Sequence, residues 1–236
     1  QVEHPVTECV TGLDLVRLQI LVAQGHALTE LLGDVTQTGH CIEARLYAED
    51  PRHDFMPVSG CLQRFEFPEI EGLRIDAAVG NESEISPYYD SMLAKVIAYA
   101  PTRVEAAGKL ARCLARARIH GLRTNRELLV RTLLHEEFLS GEIDTHFFER
   151  NKPEDLGSPL TDETAESLHA VAAALAGQAG RVENRKHLPG IPSGWRNNRS
   201  QLQQVKFAVG DRELAVGYAW QRNTLQVEID GEPISS

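Results

Sequence analysis

With 236 residues, 42% of them hydrophobic and 25% charged, and a formal charge of −10, the chain has the composition of an ordinary folded protein, long enough for one domain and part of another. Its basic residues are dispersed, which argues against a nucleic-acid partner, and no apolar run reaches the roughly 18 residues that suggest a membrane span, so a cytoplasmic protein is expected. Cys9, Cys41, Cys61 and Cys113 are too widely spaced for a metal-binding rhythm and read as reduced, mostly buried thiols.

The first eight residues, Gln1-Val2-Glu3-His4-Pro5-Val6-Thr7-Glu8, set two carboxylates and an imidazole around one proline and read as a strand-edge segment. The sequence starts inside an already patterned stretch with no initiator Met, so chemistry at Glu3 is expected to face residues upstream. Thr11 and Asp14 form a capping-box-like pair, and Leu13, Val16, Ile20 and Ala23 follow at helical spacing, predicting a helix with one buried face that ends at Gly25. Residues 28–33 predict a further helical turn.

Residues 40–48 alternate, with Cys41, Glu43, Arg45 and Tyr47 on one side and Ile42, Ala44 and Leu46 on the other, the period of a strand. Residues 61–67 and 73–79 predict two more short strands in an antiparallel sheet, and the apolar stretch 93–99 a buried one. Tyr88 and Tyr89, just before it, read as packing residues. A second capping box, Thr102 with Glu105, opens a long helix whose stripe is Val104, Ala107, Leu110, Ala111 and Leu114 and which ends near Gly121. Thr124 with Glu127 repeats the device before residues 128–139. The fold class expected is α+β, an antiparallel sheet with packed helices.

The character changes near Asn151, so residues 1–152 are expected as one domain. Residues 153–200 are expected as a linker that contains a helix at 161–178, with Leu168, Val171 and Leu175 on one face. Residues 201–236 predict a three-strand meander and the turn into a fourth, the start of an incomplete antiparallel β-barrel. Trp220 is expected in its core, with Trp195 a core or interface residue.

Four stretches carry a more specific signal. They are the opening octet with the Thr-Gly-x-Asp-Leu helix after it; Gly39-His40-Cys41-Ile42-Glu43-Ala44-Arg45-Leu46-Tyr47-Ala48-Glu49-Asp50-Pro51; Pro87-Tyr88-Tyr89-Asp90-Ser91-Met92-Leu93-Ala94-Lys95; and Gly121-Leu122-Arg123-Thr124-Asn125. In this order they resemble the end of the ATP-grasp region and the C-terminal domain of biotin carboxylases, over roughly residues 1–150.

The resemblance implies carboxylation of biotin with bicarbonate and ATP, assisted by Mg2+. It makes Glu3 the base that activates bicarbonate, with Gln1 and the Val2 N–H holding that anion. Arg45 would contact bicarbonate and stabilise negative charge on biotin, Glu43 would orient Arg45, and Asp90 would support the site. Thr145 and His146 fall where the family places part of its adenine pocket. His4 is expected to be structural, and Glu8 to support the loop. The glycine-rich phosphate loop, the ATP-binding lysines, most Mg2+ ligands and the Ala-Met-Lys-Met biotin-attachment motif do not occur. No metal site and no covalently held biotin are therefore expected here, and the chain alone is expected to be inactive. The implied partners are the N-terminal ATP-grasp half of the same enzyme, a carboxyltransferase β subunit and a biotin carrier domain. Residues 161–236 resemble, more weakly, the region that docks the carboxyltransferase in propionyl-CoA and methylcrotonyl-CoA carboxylase α subunits. The alternatives are a non-catalytic assembly module, or part of a pyruvate or urea carboxylase.

Overall fold

The computed structural model describes residues 4–187, 191, 195, 201–209, 212–221 and 224–234. The chain forms two compact units, Gln1–Pro159 and Leu160–Ser236.

The first unit opens on helix α1, His4–Thr11, where a strand edge was expected. Pro5 sits in its first turn, where a missing N–H breaks no helical hydrogen bond and the fixed φ favours the helix. Gly12, at φ 72°, closes it. In α2, Leu15–Ala23, Asp14 is the cap and accepts from Arg17 N at 2.9 Å, while the Thr11 hydroxyl bonds back to Thr7 O at 2.6 Å. The apolar stripe of α2 is not buried: Val16, Ile20 and Val22 are exposed. A single turn, α3 (Leu28–Leu31), leads to the sheet.

The strands follow as β1 (His40–Tyr47), β2 (Glu49–Asp50), β3 (Met56–Pro57), β4 (Gly60–Leu62), β5 (Arg64–Glu66), β6 (Leu73–Ala77), β7 (Ser83–Ile85) and β8 (Met92–Ala100). After them come α4 (Arg103–Arg116), β9 (Arg118–His120), α5 (Arg126–Leu134), α6 (Glu136–Ser140), α7 (Phe147–Arg150) and α8 (Pro153–Leu156). The main sheet has the order β1-β8-β6, and short antiparallel pairs β2-β3, β4-β7 and β5-β9 lie beside it. β8 lies between two partners, and its Leu93, Ala94, Val96, Ile97 and Ala98 are all buried, as a strand covered on both faces requires.

Helix α4 packs Ala107, Leu110, Ala111 and Leu114 with Ala44, Val96 and Ala98 of the sheet. Val104, expected in that stripe, is exposed. The helix stops at Arg116, short of Gly121, because Ile119 is buried in β9, whose Arg118 to His120 pair with Glu66 to Arg64. The expected helix 128–139 is broken at His135, whose extended backbone, at ψ 141°, separates α5 from α6. Thr124 forms no capping box. Asn125 is the cap residue of α5, and its side chain bonds elsewhere.

The second unit contains α9, Glu163–Glu183, and strands β10 (Gln203–Val209), β11 (Arg212–Gln221), β12 (Thr224–Ile229) and β13 (Glu232–Pro233), in that order in one antiparallel sheet. Small residues let the helix approach the strands. Ala170 and Ala174 pack with Leu214, Val216 and Tyr218, whereas Leu168 is exposed. The helix runs five residues past the expected 178, and Arg181 on it donates to the Tyr218 hydroxyl at 3.1 Å. Trp220, expected in the core, is half-exposed and donates its indole N–H to Gln178 Oε1 at 3.2 Å. Trp195 is likewise half-exposed.

Candidate functional site

The outward face of β1 carries the residues that the sequence singled out. Because side chains alternate along a strand, Glu43 and Arg45 share this face while Ala44 and Leu46 enter the core. The Arg45 side chain is 43% exposed and its Nε lies 3.5 Å from Oε1 of Glu43, whose side chain is only 4% exposed. At that distance the contact is an ion pair more than a hydrogen bond. Glu43 Oε2 is buried and accepts no hydrogen bond from the described residues. Burial works against the charge on Arg45, but its contacts with Glu43 and Tyr47 outweigh it and hold its pKa above the ordinary value. A half-exposed guanidinium is therefore held at the sheet surface by a carboxylate buried beside it.

Arg45 stands opposite Lys95 of β8, which in turn stands opposite Asp76 of β6. Two cations directly opposite repel, so the carboxylates of Glu43 and Asp76 balance this row. Helix α1 is tied to the same sheet: Arg74 Nη1 donates to Glu8 Oε2 at 2.7 Å, and Glu8 Oε1 accepts from Leu15 N at 2.9 Å. Glu8 thus joins α1, the start of α2 and β6. The Cys41 thiol, also on β1, is pushed up to about 12 by burial, by neighbouring Cys9 and by Glu43, and so stays protonated. Cys113 is buried, with its pKa raised to about 11 by that burial, whereas Cys61 is exposed, against the expectation of mostly buried thiols.

Beyond Arg45 the pairing of β1 with β8 shifts register between Leu46 and Tyr47. There Asn125 meets the strand. Its Nδ2 donates to Arg45 O at 3.1 Å, its Oδ1 accepts from Tyr47 N at 2.9 Å, and its backbone N donates to Tyr47 O at 3.1 Å. Two residues earlier, Arg123 Nη1 donates to Asp50 Oδ2 at 2.6 Å, and His53 Nδ1 lies 2.9 Å from the same oxygen. Burial alone would raise the Asp50 pKa, but Arg123, His53 and the Arg52 N–H lower it below the usual carboxylate range.

Asp90 is exposed and accepts from Met92 N at 2.8 Å, which fixes the turn into β8, the strand opposite β1. Its neighbour Ser91 donates to Glu49 Oε1 at 2.6 Å. Tyr88 and Tyr89 do not pack; they are 90% and 84% exposed. His146 caps nothing with its side chain. Its Nδ1 lies 3.0 Å from Glu149 Oε1 and its N–H donates to Asp144 Oδ1 at 3.0 Å, so its partners are local, and both it and Thr145 are exposed. Of the expected site residues, Gln1, Val2 and Glu3 lie outside the described residues, and the structure joins Arg45 to Glu43. Among the described residues no group of three or more His, Cys, Asp or Glu could hold a metal ion, and no helix is long and apolar enough to cross a membrane.

Asn125 is the residue at this site that reading the motifs left without a role. Before a helix, Asn reads as an N-cap, and nothing local shows that its amide reaches back about eighty positions to β1.

Two domain families match the sequence: the biotin carboxylase C-terminal domain over residues 43–150, and the ATP-binding domain of the carbamoyl-phosphate synthase L chain over residues 1–31. Biotin carboxylase 2 of Bacillus subtilis is 43% identical over 151 residues, which cover 64% of this chain and 34% of that protein. The mitochondrial propionyl-CoA carboxylase alpha chain of Rattus norvegicus is 34% identical across all of this chain and 32% of its own length. Among solved structures, the biotin carboxylase domain dimer of Hydrogenobacter thermophilus 2-oxoglutarate carboxylase, in complex with MgADP, ADP and bicarbonate, has a TM-score of 0.64 and 35% identity, covering 68% of this chain and 35% of that one. The chain thus spans about a third of the length of these relatives.

Proposed function

Because residues 43–150 belong to the biotin carboxylase C-terminal domain family and residues 1–31 are the end of an ATP-grasp domain, we propose that the chain is the C-terminal part of a biotin carboxylase serving an acyl-CoA carboxylase. The observation that carries this reading is Arg45, a half-exposed guanidinium fixed by a buried carboxylate on the strand where the family motif runs unbroken.

In the proposed reaction a bicarbonate oxygen attacks the γ-phosphorus of ATP, releasing ADP and forming carboxyphosphate. This breaks down to CO2 and phosphate, the phosphate takes the N1 proton of biotin, and N1 bonds to CO2. Glu3 takes the proton from bicarbonate, while Gln1 and the Val2 N–H hold the anion. Arg45 presents a planar fork to the bicarbonate carboxylate and to the ureido oxygen of biotin as charge grows there. Glu43 fixes the fork, and Asp90 fixes the entry of the strand opposite. Thr145 and His146 are assigned to the adenine side on the resemblance alone. Mg2+ and the ATP phosphates are assigned to the ATP-grasp half outside this sequence.

The acyl-CoA subclass is supported by the extent of the matches, since the rat propionyl-CoA carboxylase alpha chain aligns over the whole chain and the Bacillus protein over 64% of it. Docking of a carboxyltransferase subunit is a second role, assigned to the unit Leu160–Ser236 and supported by its exposed Leu168, Val182 and Trp220. It is tested by capture of a carboxyltransferase subunit with and without residues 160–236; equal capture removes it.

The main test replaces the matched third of the Bacillus biotin carboxylase with the matched residues of this chain. The chimera should hydrolyse ATP in a bicarbonate- and biotin-dependent way, and Arg45→Ala should slow it by about 100-fold or more, the range for a lost charge-stabilising donor. Equal rates would remove Arg45 from the reaction. The 236-residue chain alone should show no such hydrolysis, and turnover by it would overturn the assignment of the ATP site to residues outside it.

A further inference from the structure

We propose that Asn125 is the positioning residue for Arg45, and that the turn Gly121 to Asn125 is a clamp closed on β1. The inference rests on the reading of Arg45 as the group that meets bicarbonate and biotin, and adds to it the device that sets the position of its backbone.

The geometry is specific. Asn125 is 6% exposed, and its amide spans Arg45 O and Tyr47 N while its own N–H meets Tyr47 O. These three bonds hold Arg45 and Tyr47 beside the point where the ladder to β8 shifts register, so they fix β1 where its own pairing is least regular. In a sheet with one face in the core, a slip of one residue carries every side chain to the opposite face. For β1 that slip would turn Arg45 into the layer occupied by Ala44 and Leu46. Asn125 occupies the cap position of α5, where its carbonyl accepts from Leu129 N, but its side chain makes no cap bond to that helix and its amide is committed to the strand.

The turn itself is fixed at both ends. Gly121 has φ 113°, and a Cβ there would run into the Cys61 carbonyl, so only glycine fits. Arg123 ties the middle of the turn to Asp50, just beyond the end of β1. An amide held at this precision on the backbone of one strand controls where the guanidinium of that strand is presented.

The test uses the complete carboxylase of which this chain is proposed to be part. Asn125→Ala removes both side-chain bonds. Asn125→Ser is the milder second variant: its neutral hydroxyl keeps hydrogen-bonding capacity at the buried position but lacks the two-armed amide, which guards against a failure of the first variant to fold. Both should lower kcat by about 10- to 100-fold, as a small misplacement of a reacting group does, and leave the KM for ATP unchanged. Introduced into Arg45→Ala, either should cause no further loss, because residues that act as a unit are not additive. Wild-type kcat in a folded Asn125 variant, or a loss that multiplies with that of Arg45→Ala, would overturn the proposal. Hydrogen exchange at the Tyr47 N–H of the 236-residue chain reads the clamp independently: it should quicken in Asn125→Ala, and unchanged exchange would overturn the clamp. If Arg45→Ala instead turns over at the wild-type rate, the reading of Arg45 fails while the exchange experiment still decides the clamp.

Discussion

Glu43 bears a cost that Arg45 only partly offsets. Its side chain is almost wholly buried, one oxygen reaches Arg45 at 3.5 Å and the other has no donor among the described residues. A desolvated carboxylate with an unpaired oxygen destabilises a fold, and because the Arg45 guanidinium is half-exposed, removing the charge of Glu43 leaves no buried cation behind. Glu43→Gln should therefore melt no lower than the wild-type chain, while in the chimera it slows turnover about tenfold by releasing the guanidinium. A melting temperature several degrees lower would show that the charge serves the fold instead. Asp50 is the opposite case, because every bond it accepts favours its charged form. Its native pKa is depressed below the unfolded value of about 3.9, so its contribution is full above about pH 4 and is lost as pH falls through the native pKa. At neutral pH, Asp50→Asn should cost about 1–3 kcal/mol in urea unfolding, and the gap should close on acidification. A gap independent of pH would remove the charge from the explanation. The Glu43–Arg45 pair was legible in the sequence because period-two spacing places both on one strand face. The Glu8–Arg74 bond, 66 residues apart, was not, since no local pattern encodes a contact made by chain reversal.

Elements were legible in proportion to their length and the regularity of their pattern. β1, β8 and α4 run long enough for periodicity to be read, whereas β7 and β9 have three residues each and show no period. The exposed stripe of α2 shows that spacing reveals a face that can be buried, while other residues decide whether it is covered. Capping boxes show the same divide, and the candidates before α4 and α5 can be compared directly. At α4 the reciprocal pair is complete, with Glu105 N donating to Thr102 Oγ1 at 3.3 Å and Thr102 N to Glu105 Oε2 at 3.1 Å. At α5 the same spacing forms no box: Arg126 holds Glu127, and the helix starts from Asn125. Thr102→Ala should then cost about 1 kcal/mol, roughly 2–4 °C in a unit of this size, and Thr124→Ala less than about 0.5 kcal/mol. Equal losses in calorimetry would mean that the spacing, and not the observed bonds, measures the cap.

At the scale of the molecule, the two units differ in how much apolar surface they close off, and that difference can be measured. In Gln1–Pro159, two buried clusters meet along β8. One is built on Leu110, Leu114 and Val96 beneath α4, and the other on Leu46, Leu62 and Leu93. In Leu160–Ser236 the buried apolar set is Ala170, Ala174, Leu214, Val216 and Tyr218, two of them alanines, around one helix and four strands among the described residues. Among the described residues its outer strands β10 and β13 each have one partner, so a row of backbone groups on either edge is unpaired within the sheet. A small unit buries a smaller fraction of its unfolded surface and is correspondingly marginal. Expressed separately, residues 1–159 should unfold in one cooperative urea transition, and residues 160–236 should unfold at a lower midpoint with a smaller dependence on denaturant. The Arg45 site lies wholly within the first piece, so hydrogen exchange in β1 should be strongly protected there. A higher midpoint for residues 160–236, or an unprotected β1 in residues 1–159, would mean that the stability supporting the site is not held by the core around β8.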